Sequence, residues 1–97
     1  MEPGIQDISI SDVVISTAGR DQGQLFYCIG TDDQYVSLAD GKGRTLDKPP
    51  RKKRKHVQKV LRAETRVAGK LRSGDKVLNS ELRRDLAFLI REVQSMT

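Results

Sequence analysis

The chain has 97 residues, a length that allows one domain with an appendage and excludes a second catalytic domain. Aromatic residues make up only 4% of the chain and Trp is absent, so any core must be modest and built mainly from Val, Ile and Leu. Residues 1–47 carry three basic and eight acidic side chains, whereas residues 48–97 carry fifteen basic and five acidic ones. This asymmetry indicates a polyanionic partner, either a nucleic acid or an anionic membrane surface.

The first half of the chain is expected to consist of short β-strands. Residues 5–10 and 12–17 are rich in Ile and Val and lack Gly and Pro, and residues 1–11 are interpreted as an N-terminal extension or a first strand. Two glycines within residues 18–23 predict a hairpin loop. The apolar runs 25–29 and 35–39, each followed by turn residues, predict two further strands. Strands at this spacing indicate a small barrel or sandwich.

The run at 25–29 contains the adjacent aromatic residues Phe26 and Tyr27. Because successive side chains of a strand point to opposite faces, we expect one ring in the core and the other on the surface. An exposed Tyr27 or Tyr35 would be able to stack on a base, although packing at the core or its rim is the default expectation.

Pro49 and Pro50 end this pattern, and the second half of the chain is expected to be helical after a basic segment. The strongest helix prediction covers residues 79–94, capped by Asn79 or Ser80. Its apolar side chains recur at offsets of 4, 7, 8 and 11 and therefore share one face: Leu82, Leu86, Leu89, Ile90 and Val93. A shorter helix is expected at residues 63–71, ending near Gly74.

The basic segment, called the basic run below, surrounds His56 and consists of Lys48, Arg51, Lys52, Lys53, Arg54, Lys55 and Lys59. Five consecutive like charges repel one another, and residues 48–62 contain no acid that would offset this, which favours neutralisation by phosphates. The alternatives are a merely solvated face or a nuclear-import signal. Import is the less favoured reading, since a basic peptide held in a barrel strand at 51–60 is poorly available to a receptor.

Residues 12–41 resemble a KOW motif, which occurs in several ribosomal proteins and in NusG-type transcription factors. The resemblance rests on the apolar segment 12–15, the loop 19–24 with its glycine at Gly23, the apolar run 25–29 and the segment from Tyr35 to Gly41. With the basic run included, the stretch is most similar to the fourteenth large-subunit ribosomal protein of archaea and eukaryotes and its stand-alone bacterial relatives. Ser11 departs from the glycine usual in the motif, and Gln22 and Gln24 replace residues that are frequently basic.

This resemblance implies an SH3-like barrel at residues 12–60, followed by a helical appendage at 61–97. It also implies RNA contacts by Arg20 in the first loop, by Lys42 and Arg44 after Gly41, and by the basic run with His56. We expect the RNA to be ribosomal and the protein to be ribosome-associated or a ribosomal constituent. The apolar face of the C-terminal helix is expected to pack on the barrel, with binding of a ribosomal or other protein as the alternative.

No enzymatic activity, cofactor or metal is expected. His56 is the only histidine and lies within a cationic run, which disfavours a protonated imidazole, and one Cys with one His cannot form a thiolate-rich zinc site. Cys28 is interpreted as a small buried apolar residue. The sequence shows no signal-peptide pattern and no apolar run near eighteen residues, so secretion and membrane spanning are not expected and a cytoplasmic location is. A membrane-surface role is disfavoured because residues 51–55 contain no interleaved Trp, Phe or Leu anchors. The alternative function is an adaptor of the transcription or translation machinery.

Overall fold

A computed structural model describes residues 7–95, which form a five-stranded antiparallel sheet and two α-helices. The strands, in chain order, are β1 (Asp12–Ser16), β2 (Leu25–Thr31), β3 (Tyr35–Ala39), β4 (Arg51–Lys53) and β5 (Val57–Arg62). A 3₁₀ helix at Arg54–His56 joins the last two strands, and α1 (Arg66–Ser73) and α2 (Asn79–Ser95) follow. The sheet order is β4-β3-β2-β1-β5. The expectation of a mainly β domain with a C-terminal helix is confirmed.

Both faces of the sheet are buried, because alternate residues of the central strands belong to two separate apolar clusters. One cluster lies on one face of the sheet, and its buried members are Ile8, Val14, Phe26, Cys28, Val36, Leu38 and Val57. The other joins the opposite face to the helices, through Val13, Tyr27, Ala39, Ala63, Val67, Ala68, Leu82, Leu86 and Leu89. The expectation that one of the two rings, Phe26 or Tyr27, would be exposed was therefore wrong, whereas the default expectation of core packing for Tyr27 is confirmed. Both rings are fully buried, because the helices cover the face of the sheet that carries Tyr27.

The phenol of Tyr27 ties the sheet to both helices. Its hydroxyl donates a hydrogen bond to the Asp85 carboxylate on α2 and lies 3.4 Å from the Thr65 hydroxyl. Thr65 also donates to Asp85 over 2.8 Å and caps α1 by accepting the Ala68 N–H. Burial raises the pKa of Tyr27, and the Asp85 carboxylate raises it further. The phenol therefore remains a proton donor within this junction.

The loop between β3 and β4 fixes the start of α2. Gly41 has φ +79°, and a Cβ there would lie 2.2 Å from the main-chain oxygen of Asn79. The sequence suggested Asn79 as a cap of α2, but its side chain does not cap the helix. Its amide oxygen instead accepts the Leu46 main-chain N–H over 2.8 Å. The Glu81 carboxylate instead accepts the Leu78 N–H at the helix start. This contact with the loop and the buried face of α2 confirm that the helix packs on the sheet.

Three boundaries differ from the sequence predictions. Residues 7–10 form no strand, and the first part of the segment predicted at 5–10 lies outside the described residues. The first helix spans Arg66–Ser73, later than the predicted 63–71, because Thr65 caps it, and Gly74 ends it with φ +77° as expected. The basic segment 51–60 is not one strand, because the 3₁₀ helix divides it.

Candidate nucleic-acid interface

The basic run occupies an edge strand and the turn that follows it. In β4, Arg51 and Lys53 are exposed and share one face, while Lys52 points to the other. Tyr35 is the cross-strand neighbour of Lys53, and the Arg51 guanidinium lies 4.6 Å from the centre of its ring. One face of the Tyr35 ring is thus covered by Arg51.

Lys52 fastens the loop between β1 and β2. Its ammonium donates to the Ser16 hydroxyl over 2.9 Å, to the Ala18 carbonyl over 2.7 Å and to the Asp21 carboxylate. These bonds use all three of its N–H donors. Burial tends to raise the pKa of Asp21, but hydrogen bonds from Lys52 and Ser16 outweigh it and hold the pKa below its ordinary value. Lys52 therefore positions the loop that carries Arg20.

Two arginines of the run hold the acidic turn between β2 and β3. Arg51 forms an ion pair of 2.5 Å with the Asp32 carboxylate. Arg54 donates to the Asp32 main-chain oxygen over 2.9 Å and to the Ile8 oxygen over 3.3 Å. The hydrogen bonds from the Tyr35 and Gln34 N–H groups and from Arg51 keep the pKa of Asp32 low against a smaller effect of burial. This turn neutralises part of the run.

Lys59 lies on β5 and pairs with a buried carboxylate on β1. Its ammonium is 3.3 Å from Oδ2 of Asp12, whose side chain is fully buried. The same oxygen accepts the Ser9 N–H over 2.9 Å, whereas Oδ1 has no hydrogen-bond partner among the described residues. Removing Lys59 would leave an uncompensated charge inside the fold, so Lys59 is a structural residue here.

The remaining predicted contacts lie in two places. Lys53 and Lys55 are exposed, as are Lys48 and, in the loop that Lys52 fastens, Arg20. None of these four forms an ion pair with any residue from 7 to 95. His56 is half-buried in the 3₁₀ helix, and its main-chain oxygen accepts the Thr17 N–H. Lys42 and Arg44 belong instead to the loop that contacts α2.

Two arginines that the sequence analysis did not select have defined places. Arg72 of α1 donates to the buried Ser11 hydroxyl over 2.9 Å and to the Ala63 carbonyl, so it anchors α1 on the start of β1. Arg83 of α2 lies beside Gly41, since a Cβ on that glycine would be 2.9 Å from the main-chain nitrogen of Arg83. The helical pattern put Arg83 outside the buried stripe, but only the fold brings it next to Lys42.

Cys28 is buried on the inner face of the sheet, as predicted, and burial raises the pKa of its thiol to about 11. The thiol is therefore protonated at neutral pH and unsuited to nucleophilic chemistry. Within residues 7–95 no group of three or more potential metal-ligating side chains occurs. No helix in that part of the chain is long and apolar enough to cross a membrane.

We compared the chain with known proteins. No protein-family model matches it, and no curated protein matches it significantly.

Proposed function

We propose that this protein is a non-enzymatic RNA-binding protein with a KOW-type SH3-like barrel, associated with the ribosome. The observation that carries the proposal is the edge formed by β4 and the 3₁₀ helix. There Lys53 and Lys55 are exposed and without an acidic partner among residues 7–95, while neighbouring cations fasten the surrounding loops. An edge with unneutralised cations favours phosphate binding, and because neighbouring cations already hold the surrounding loops, little loop ordering is required on association.

Connectivity supports the barrel. In an SH3-like barrel the first strand lies between the second and the last, and a 3₁₀ turn precedes the last strand; β1 pairs with β2 and β5 in that manner. Backbone geometry supports the KOW resemblance at the position that departs from it. Ser11, where the motif usually has glycine, is the one non-glycine residue with positive φ among those described, at +77°. Gly23, which matches the glycine of the motif, has φ +89°.

The proposal is tested by the salt dependence of binding to a short single-stranded RNA. If Lys53 and Lys55 each contact a phosphate, changing both to Gln should flatten the slope of log affinity against log salt by about 1.4, at about 0.7 per contact. The matched control changes Lys76 and Arg91 to Gln, which removes two exposed charges that, like Lys53 and Lys55, form no ion pair with any residue from 7 to 95. An equal slope in both double variants, with both folded by circular dichroism, contradicts the proposed interface.

Ribosome association is tested in cells by crosslinking the protein to RNA and sequencing what is recovered. We expect ribosomal RNA in the wild type and a lower yield in the Lys53→Gln/Lys55→Gln variant.

A second candidate function, an adaptor for a protein partner, is favoured by one observation: Phe88 on α2 is 50% exposed. Recovery of a protein but no RNA, lost on Phe88→Ser, would favour that adaptor.

A further inference from the structure

A groove lies between α2 and the end of the sheet, where the β1–β2 and β3–β4 loops approach the helix. It has a volume of about 360 Å³ and is walled by apolar side chains, chiefly Leu25 of β2 and Leu86 and Ile90 of α2. Gly23 and Gln24 of the β1–β2 loop form one rim. Lys42 of the β3–β4 loop and Arg83 of α2 also line the groove.

The fold brings Lys42 and Arg83 to the same groove for a structural reason. Gly41 contacts the first turn of α2, where a Cβ would be 2.9 Å from the main-chain nitrogen of Arg83, and Lys42 directly follows Gly41. Neither Lys42 nor Arg83 forms an ion pair with any residue between 7 and 95. Asp40 is the one acid in the lining. Its Oδ1 accepts hydrogen bonds from the main-chain N–H groups of Lys42 and Arg44, each over 2.9 Å. The lining therefore keeps a net positive charge.

We propose that this groove binds one unpaired nucleotide of the RNA, with its base against the apolar wall and its phosphate at Lys42 and Arg83. The inference rests on the proposed function. A paired base is stacked within its duplex and cannot enter a groove between a helix and a loop, whereas an unpaired base can. The Gln24 amide at the rim offers both a donor and an acceptor for a base edge. The groove therefore selects single-stranded over double-stranded RNA.

Continuity with the proposed RNA edge favours a nucleotide over an acidic peptide. The β1–β2 loop borders both surfaces: Lys52 of the basic run holds the loop at Ala18 and Asp21, and Gly23 and Gln24 line the groove. Arg20, which is exposed and forms no ion pair with any residue between 7 and 95, lies in the same loop between Ala18 and Asp21. The β1–β2 loop thus connects the proposed RNA edge to the groove.

The test uses the full chain, single-stranded RNAs of uniform base and a duplex of equal length. Arg83→Gln is compared with Arg84→Gln, because these adjacent exposed arginines of α2 lie on different sides of the helix and only Arg83 lines the groove. We expect Arg83→Gln to weaken single-strand binding by about tenfold, as for losing one charge-assisted hydrogen bond to a phosphate, and to leave duplex binding nearly unchanged. Arg84→Gln should leave the single-strand preference intact.

Base readout has its own matched pair. Gln24→Ala should reduce the differences in affinity among the four uniform RNAs, whereas Gln22→Ala should not, because Gln22 is a neighbouring exposed residue that does not line the groove.

If Arg83→Gln and Arg84→Gln have the same effect on single-strand binding and the same effect on duplex binding, the groove proposal is overturned and the proposed function stands. No binding of the wild type to any RNA at low salt would end both. Binding of a glutamate-rich peptide that depends on Arg83, with RNA binding unaffected, would assign the groove to a protein segment and overturn the nucleotide.

Discussion

Gly41 shows how a single residue sets the position of a helix. Its φ of +79° is a conformation that side chains with a Cβ rarely adopt, and its Cα faces the first turn of α2. Gly43, two residues later, has no atom within 4 Å of a hypothetical Cβ and no positive φ. The two positions therefore separate a packing requirement from ordinary loop flexibility.

We predict that Gly41→Ala lowers the free energy of unfolding by more than the roughly 1–3 kcal/mol expected of left-handed strain, because the new methyl group also displaces α2. Gly43→Ala is the control and should change stability by less than about 0.5 kcal/mol. Denaturant unfolding measures both. Similar values for the two variants would show that α2 does not approach the loop as closely as described.

The Lys52–Asp21 pair is mostly buried and connects an edge strand to a distant loop, with side-chain exposures of 17% and 13%. Because the folded pKa of Asp21 lies below its ordinary value near 3.8, the pair stabilises the fold above about pH 4. As pH falls through the folded pKa, Asp21 takes up a proton and the contribution is lost.

We therefore predict that Lys52→Gln is less stable than the wild type at pH 7 and that the difference narrows as the pH falls below about 4. Stability at a series of pH values, measured by denaturant unfolding, tests this. A difference that stays constant down to the lowest pH would mean that Lys52 acts through packing and its hydrogen bonds to Ser16 and Ala18, without a contribution from the Asp21 charge.

At the scale of elements, α2 carries two faces with different tasks. Leu82, Leu86 and Leu89 are buried against the sheet, whereas Phe88 is half-exposed on another side. The spacing of the leucines was sufficient to predict the helix and its buried face, since a helical stripe is a local property of the sequence. The helical segment alone does not specify which residues this face packs against, because its partners, such as Val13 and Tyr27, lie in the sheet.

We predict that Leu86→Asp destabilises the protein by about 3–5 kcal/mol, because it removes buried apolar contacts and places a carboxylate against the sheet. Phe88→Asp, two residues later on the same helix, should cost less than about 1 kcal/mol. Thermal and denaturant unfolding compare the two variants. Equal losses would mean that Phe88 is buried in solution, for instance in a dimer.

At the scale of the molecule, local patterns identified the strands from 12 to 39 and both helices, while the state of the basic run depended on distant residues. Lys52 meets Asp21 across 31 positions, and Arg51 meets Asp32 across 19. Because residues 48–62 contain no acid, the sequence suggested that all cations of the basic run are free for phosphates. Acids from distant parts of the chain in fact pair with some of them. The groove combines three separate segments, and no pattern in any one of them indicates it.

The two-sided burial of the sheet has a consequence for synthesis. Translation delivers all five strands by Arg62, but the helices that cover the face of Val13, Tyr27 and Ala39 are encoded only afterwards. A nascent chain that has just exposed its last strand thus presents an apolar sheet surface and lacks the Asp85 acceptor for the Tyr27 phenol. Until α2 leaves the exit tunnel, that surface is open to chaperones and to aggregation.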